Sequence, residues 1–364
     1  MAQPKATIFG CTSTKLTYEE KQFFSRVNPL GFILFTRNCQ NPNQVVELVD
    51  ELRTTTGRDD TPILIDQEGG RVQRLNPPYW RAAPAASTFS LIAEDDLELA
   101  CDAVEDNYWL IGAELRALGI TANCAPNADL LFEKADKIIG DRSFGSDPDV
   151  VAQLALYSIL GMIEQGICPI IKHLPGHGRA PVDSHKSLPI VTANKENLSS
   201  MDFYAFRKTM QLLQEIPNLP TPWGMTAHVV YCDIDGDEPA THSSTLINNI
   251  IRGEIGFDGF LITDCLTMQA LDGSYEQRTV KALNAGCDAV LHCNGDLEQM
   301  IEIAASAGEI RTEGANRLSS SLFSASLNFA KSEEEVLSNL NKTLDKYSML
   351  VEQEEHELQK IHRE

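Results

Sequence analysis

Residues able to move protons crowd into one stretch of this 364-residue chain. The segment IIKHLPGHGRAPVDSHKSLP (170–189) holds Lys172, His173, His177, Asp183 and His185, among glycines and prolines that forbid a helix. A loop this dense in titratable groups is more often chemical than structural. In Asp183-Ser184-His185 a carboxylate stands close enough to an imidazole to hydrogen-bond one ring nitrogen and fix its tautomer. The other nitrogen is then free to carry a proton to a leaving group or from a water. A solvent-exposed Asx-type turn is the plainer alternative. His173, His177 and His185 with Asp183 also compose a metal set. Against it, Pro175 and Gly176 interrupt the helix that an i, i+4 histidine pair needs, and no H-E-x-x-H or cysteine pair accompanies them. No metal and no cofactor is expected.

Two further segments supply complementary groups. GFLITD (259–264) ends on Asp264, a carboxylate placed to act as nucleophile, metal ligand or acceptor of backbone N–H groups. IDQEGGRVQRL (65–75) sets Asp66 at the end of an apolar run, with Arg71 and Arg74 beyond a Gly69-Gly70 turn. Vicinal sugar hydroxyls need bidentate acceptors such as Asp, and a ligand carboxylate or amide carbonyl needs a planar guanidinium. Arg142, in IGDRSFGSD (139–147), reads equally as a ligand-binding cation or half of an ion pair.

Such residues need a frame. Eight apolar runs recur along the chain: 6–10, 31–38, 62–68, 120–127, 168–173, 223–228, 259–264 and 287–294. Most end in polar residues, among them Arg37, Asp66, Glu68, Lys172, His173, His228 and Asp264. Runs apolar throughout suit strands of a parallel sheet buried on both faces. Segments of helical spacing lie between them, including 41–55, 97–119, 148–166 and 243–256. The alternation predicts a (β/α)8 TIM-type barrel, whose chemistry sits at the C-terminal ends of the strands. An open doubly wound sheet is the competitor, but no G-x-G-x-x-G follows the first run. Residues 1–310 are expected to form the barrel and 311–364 a helical extension packed on it, in a single domain. Within the extension, 333–361 reads as a charged helix with Val336, Leu340, Leu344, Tyr347, Val351, Leu358 and Ile361 on its apolar face.

The net charge of −22 argues against a nucleic-acid partner, since no Lys/Arg cluster offsets it locally. Neither a secretory leader nor a long uncharged apolar run is evident, which predicts a cytoplasmic protein without a membrane partner. Nine scattered cysteines without a C-x-x-C pair fit reduced thiols. A monomer is expected, with the C-terminal helix as the surface a dimer would use.

DQEGGRVQRL (66–75), KHLPGHGRAPVDSHKSLP (172–189), TAHVVY (226–231) and IGFDGFLITDCLTMQAL (255–271) together resemble the glycoside hydrolase family 3 β-N-acetylglucosaminidases, the single-domain branch of bacterial peptidoglycan recycling. The resemblance spans roughly residues 5–300. It implies retaining, exo-acting hydrolysis of terminal β-linked GlcNAc from muropeptides, with Asp264 as nucleophile and His185 as acid/base oriented by Asp183. Sugar binding falls by the same resemblance to Asp66, Arg74, Arg142, Lys172 and His173. A family 3 β-glucosidase or an N-acetylglucosaminide phosphorylase is the alternative within enzymes, and a non-catalytic sugar-binding protein the alternative outside them. Two residues depart from the family pattern: Cys265 after the nucleophile, and Leu174 where a Phe is usual.

Overall fold

The computed structural model describes residues 3–321 and 331–361. Eight parallel strands close into a barrel in chain order: β1 (Lys5–Gly10), β2 (Pro29–Leu34), β3 (Ile63–Ile65), β4 (Ala122–Asn123), β5 (Cys168–Leu174), β6 (Trp223–Thr226), β7 (Leu261–Cys265) and β8 (Ala289–His292). Each coincides with one of the eight apolar runs, so the (β/α)8 expectation holds. The reason for their unbroken apolarity is visible in the packing. Ile8, Ile33, Leu64, Ile170, Met225, Ile262 and Leu291 fill the barrel interior, while Phe9, Phe32, Ile63, Ile171, Leu261 and Val290 face the surrounding helices.

Local signals set the helix ends. The helix Pro42–Thr56 starts behind Asn41, whose side chain accepts from the Gln44 N–H, and stops at Gly57 in the left-handed region. Leu97–Ala117 is capped by Asp96, and Pro148–Glu164 by Asp147. One helix differs from expectation. Leu246–Glu254 is wound as a π-helix, with Leu246, Ile247, Ile250 and Ile251 buried.

The helix Thr312–Ser320 closes the end of the barrel opposite the strand C-termini, where Trp223 Nε1 donates to Ser321 Oγ at 2.7 Å and Ile310 joins the interior cluster. In the helix Glu333–Ile361, Val336, Leu340 and Tyr347 are buried, and the helix packs against Leu97–Ala117 and Ala86–Asp95. The side chains of Val351, Leu358 and Ile361 lie outside the described residues. No helix among the described residues is long and apolar enough to cross a membrane.

Candidate active site

The C-terminal ends of β3 and β5 meet in a buried charge network. Lys172, nearly without solvent exposure, places Nζ 2.6 Å from Glu68 Oε1 and 3.1 Å from Asp66 Oδ1. Arg74 Nη2 reaches Asp66 Oδ2 at 3.0 Å, and Arg142 clasps Glu68 through Nε (2.9 Å) and Nη2 (2.8 Å). Two carboxylates and three cations thus pair at the barrel mouth, with one positive charge in excess. Burial raises the Asp66 carboxyl, but the Lys172 and Arg74 charges outweigh it and hold the group well below the usual range. Burial likewise opposes Arg142 and Lys172 at Glu68, and the cations win, bringing its pKa down to about 2. Four of the expected sugar-binding residues, Asp66, Arg74, Arg142 and Lys172, therefore belong to one network.

Its organising member, Glu68, was visible in the sequence only as a polar strand end without a role. Arg142 is an ion-pair partner here, with its third nitrogen on the Ile138 carbonyl at 3.1 Å. Arg71 points elsewhere: it binds Asp141 at 2.6 Å and the Ile138 carbonyl at 2.6 Å, stitching the glycine turn to the 137–141 loop. Arg37 is also a loop clamp, bonded to the carbonyls of Cys11 and Cys293.

His173 is the fifth expected sugar contact. Its Nδ1 lies 2.6 Å from Asp129 Oδ2, which fixes the ring with Nε2 pointing away from that carboxylate. Asp129 is fully buried and also accepts the His177 N–H at 2.6 Å. Burial raises its pKa, yet His173 and His177 hold it below the ordinary value. Sequence reasoning missed Asp129; its only signal was an acidic residue inside an otherwise uncharged run, APNADLLF (125–132).

Asp264 stands at the end of β7 and accepts the Cys265 N–H on Oδ1 at 2.6 Å. Burial pushes its pKa up, but His228, His173, the Cys265 N–H and His185 together hold it below the usual carboxylate value, so it is an anion at neutral pH. The fully buried His228 braces the same strand end, with Nε2 3.1 Å from the Cys265 carbonyl and Nδ1 2.7 Å from Thr241 Oγ1. Cys265 itself is buried, its Sγ 3.3 Å from the Cys293 N and 3.1 Å from Thr267 Oγ1.

The loop after β5 carries the dyad. Asp183 Oδ1 accepts the His185 N–H at 2.9 Å and lies 2.8 Å from its Nδ1. The imidazole side chain is 59% exposed, and Nε2 has no hydrogen-bond partner among the described residues. This is the arrangement read from the Asp-Ser-His triplet: one nitrogen oriented by a carboxylate, the other free to carry a proton. The competing metal set does not assemble. Asp129 holds His173, and Ser184 Oγ lies 3.0 Å from His177 Nε2, so these rings are engaged separately. Among the described residues no group of three or more His, Cys, Asp or Glu is arranged to hold a metal ion.

Residues 3–320 match the glycosyl hydrolase family 3 N-terminal domain. The chain is 39% identical over 268 residues to a β-hexosaminidase of Shewanella frigidimarina, covering 72% of this chain and 74% of that protein. Against a β-hexosaminidase of Idiomarina loihiensis it is 36% identical over 329 residues, covering 89% and 94%. Among solved structures, native NagZ from Neisseria gonorrhoeae superposes with a TM-score of 0.79 at 30% identity over 94% of this chain and 96% of that one. A family 3 β-N-acetylglucosaminidase from Paenibacillus superposes with a TM-score of 0.78 at 28% identity, covering 93% and 67%. With the barrel, the strand-end carboxylate and the matched domain model in agreement, this chain is a glycoside hydrolase and belongs to family 3.

Proposed function

We propose that this protein is an exo-acting, retaining β-N-acetylglucosaminidase that removes terminal β-linked GlcNAc from muropeptides in the cytoplasm. The observation that carries the reading is the Asp183–His185 pair, bonded at 2.8 Å on the loop above a barrel whose β7 ends in the partly buried anion Asp264. A nucleophile must be ionised and a proton carrier must have one nitrogen free, and these residues meet those conditions.

In the first step Asp264 attacks the anomeric carbon through an oxocarbenium-like transition state while His185 Nε2 protonates the departing oxygen. Asp183 stabilises the imidazolium before transfer and keeps the ring in its tautomer. In the second step the now neutral His185 takes a proton from water, which displaces Asp264 with net retention. Asp66 offers its carboxylate to sugar hydroxyls, Arg74, Lys172 and His173 donate, and Arg142 acts in the same binding set while anchored on Glu68. The relatives named β-hexosaminidase and β-N-acetylglucosaminidase support the amino-sugar substrate. We further assign residues 1–310 as the catalytic barrel and 311–364 as an extension of the same domain, in a monomer that needs no cofactor.

The test compares p-nitrophenol release from the β-N-acetylglucosaminide and the β-glucoside by purified protein with a chelator present. Turnover of the N-acetyl substrate alone, with the β-anomer of the sugar appearing first by NMR, is the expected result. Release from the glucoside only, or a first-formed α-anomer, overturns the assignment.

A further inference from the structure

The Asp183-Ser184-His185 triplet turns its middle residue inward. Ser184 is 3% exposed, whereas the His185 side chain is 59% exposed. The hydroxyl of Ser184 lies 3.0 Å from His177 Nε2, and its carbonyl accepts the Ala270 N–H at 3.2 Å, on the segment that follows Asp264. The ring of Asp183's partner His185 bonds only within the loop, and Asp183 pairs with His185 and with the neighbouring Lys186 at 3.5 Å. Among the described residues, the triplet's hydrogen bonds to the rest of the barrel both pass through Ser184.

Behind Ser184 the support is rigid. His177 is buried, and its backbone N–H is gripped by Asp129 at 2.6 Å, the same carboxylate that orients His173. The other ring nitrogen of His177, Nδ1, is buried without a hydrogen-bond partner, so among the described residues the ring's sole hydrogen bond is the one to Ser184. That leaves the imidazole no competing attachment when the loop is seated. A buried relay therefore runs from Asp129 through His177 to the centre of the proton-carrying triplet.

We propose that Ser184 is a positioning residue for the proton transfer, a peg seated on His177 that sets the height of His185 above the glycosidic oxygen. The inference rests on the assignment of His185 as the acid/base. Proton transfer requires the donor nitrogen within hydrogen-bond reach of the departing oxygen, and a misplacement of about 1 Å can cost on the order of a hundredfold in rate. A hydroxyl that never touches the sugar controls the chemistry in this way, through the residue beside it.

The experiment measures kcat and KM for Ser184→Ala, His185→Ala and the unaltered protein on two substrates. N,N′-diacetylchitobiose has an alkoxide leaving group that needs protonation; 2,4-dinitrophenyl β-N-acetylglucosaminide has one that does not. For Ser184→Ala we expect kcat/KM on chitobiose to fall at least about tenfold, carried by kcat rather than KM, and the loss on the dinitrophenyl substrate to shrink to under about threefold. Equal losses on the two substrates, or no loss on chitobiose, overturn the proposal. His185→Ala separates the peg from the acid it positions. If it shows the leaving-group dependence and Ser184→Ala does not, the peg fails alone; if His185→Ala loses equally on both substrates, the acid assignment fails as well.

Discussion

Glu68 clasps Arg142 with both carboxylate oxygens, at 2.8 and 2.9 Å, and on one of them it also receives Lys172 at 2.6 Å. The side chains involved are at most 9% exposed, so each charge depends on the others for the solvation that burial removed. Removing the shared anion strands Arg142, whose carboxylate partner it is, and leaves Lys172 with Asp66 alone at 3.1 Å. Glu68→Ala is expected to destabilise the fold by about 3–5 kcal/mol, in the range seen when a buried pair loses one partner. Urea denaturation followed by circular dichroism checks this. A loss below about 1 kcal/mol, the worth of an exposed pair, would show that water reaches the network.

Removal of each reacting group leaves a distinct chemical trace. Asp264→Ala should lower kcat/KM by about 10⁴-fold or more, and added azide should yield the α-glycosyl azide, because the small anion occupies the space of the missing carboxylate. His185→Ala should lose about 10²–10⁴-fold on poor leaving groups, and azide should then give the β-glycosyl azide by intercepting the glycosyl enzyme. Product stereochemistry by NMR decides the matter, and a shared anomer from both variants contradicts the roles assigned.

Part of this architecture is legible without coordinates. The eight strands can be read because a parallel barrel buries both faces, which writes strands as unbroken apolar runs such as GFLITD and CPIIKH. The Asp183–His185 bond can be read because it joins residues two positions apart. Glu68 and Asp129 cannot. Their partners Arg142 and His173 lie 74 and 44 residues away, and only barrel closure brings them together. For Arg142, ligand contact and ion pair give the same sequence pattern, and nothing in its spacing separates them. The π-helix Leu246–Glu254 escapes for another reason: its apolar positions 246, 247, 250 and 251 satisfy an α-helical period just as well.

The C-terminal helix should contribute stability without contributing chemistry. Leu340 is 1% exposed where Glu333–Ile361 lies on Leu97–Ala117, on the outside of the barrel. Leu340→Ala is therefore expected to cost about 2–5 kcal/mol of unfolding free energy while kcat and KM stay at their original values at about 25 °C. Paired melting curves and steady-state kinetics test this. A fall in kcat with an unchanged melting midpoint would instead connect the helix to the active site.

Asp202 gives the fold a pH dependence of its own. Its carboxylate is 2% exposed and bonded to Arg179 Nε at 2.7 Å, and burial outweighs that cation, raising its pKa from the ordinary 3.8 to about 6. A folded-state value above the unfolded one means that the native protein binds the proton more tightly. The resulting stabilisation is complete below about pH 3.8 and is lost as pH rises through about 6. A rise from 3.8 to about 6 corresponds to at most about 3 kcal/mol. Asp202→Asn removes the titrating group while keeping an acceptor for Arg179. Across about pH 4–7 the unaltered protein should therefore lose stability with rising pH relative to the variant, with the steepest change between the two pKa values, at about pH 5, and a plateau above about pH 6. Parallel pH series of thermal midpoints measure the difference directly. Curves that run parallel through this window would mean that the Arg179 pair, and not burial, sets the protonation of Asp202.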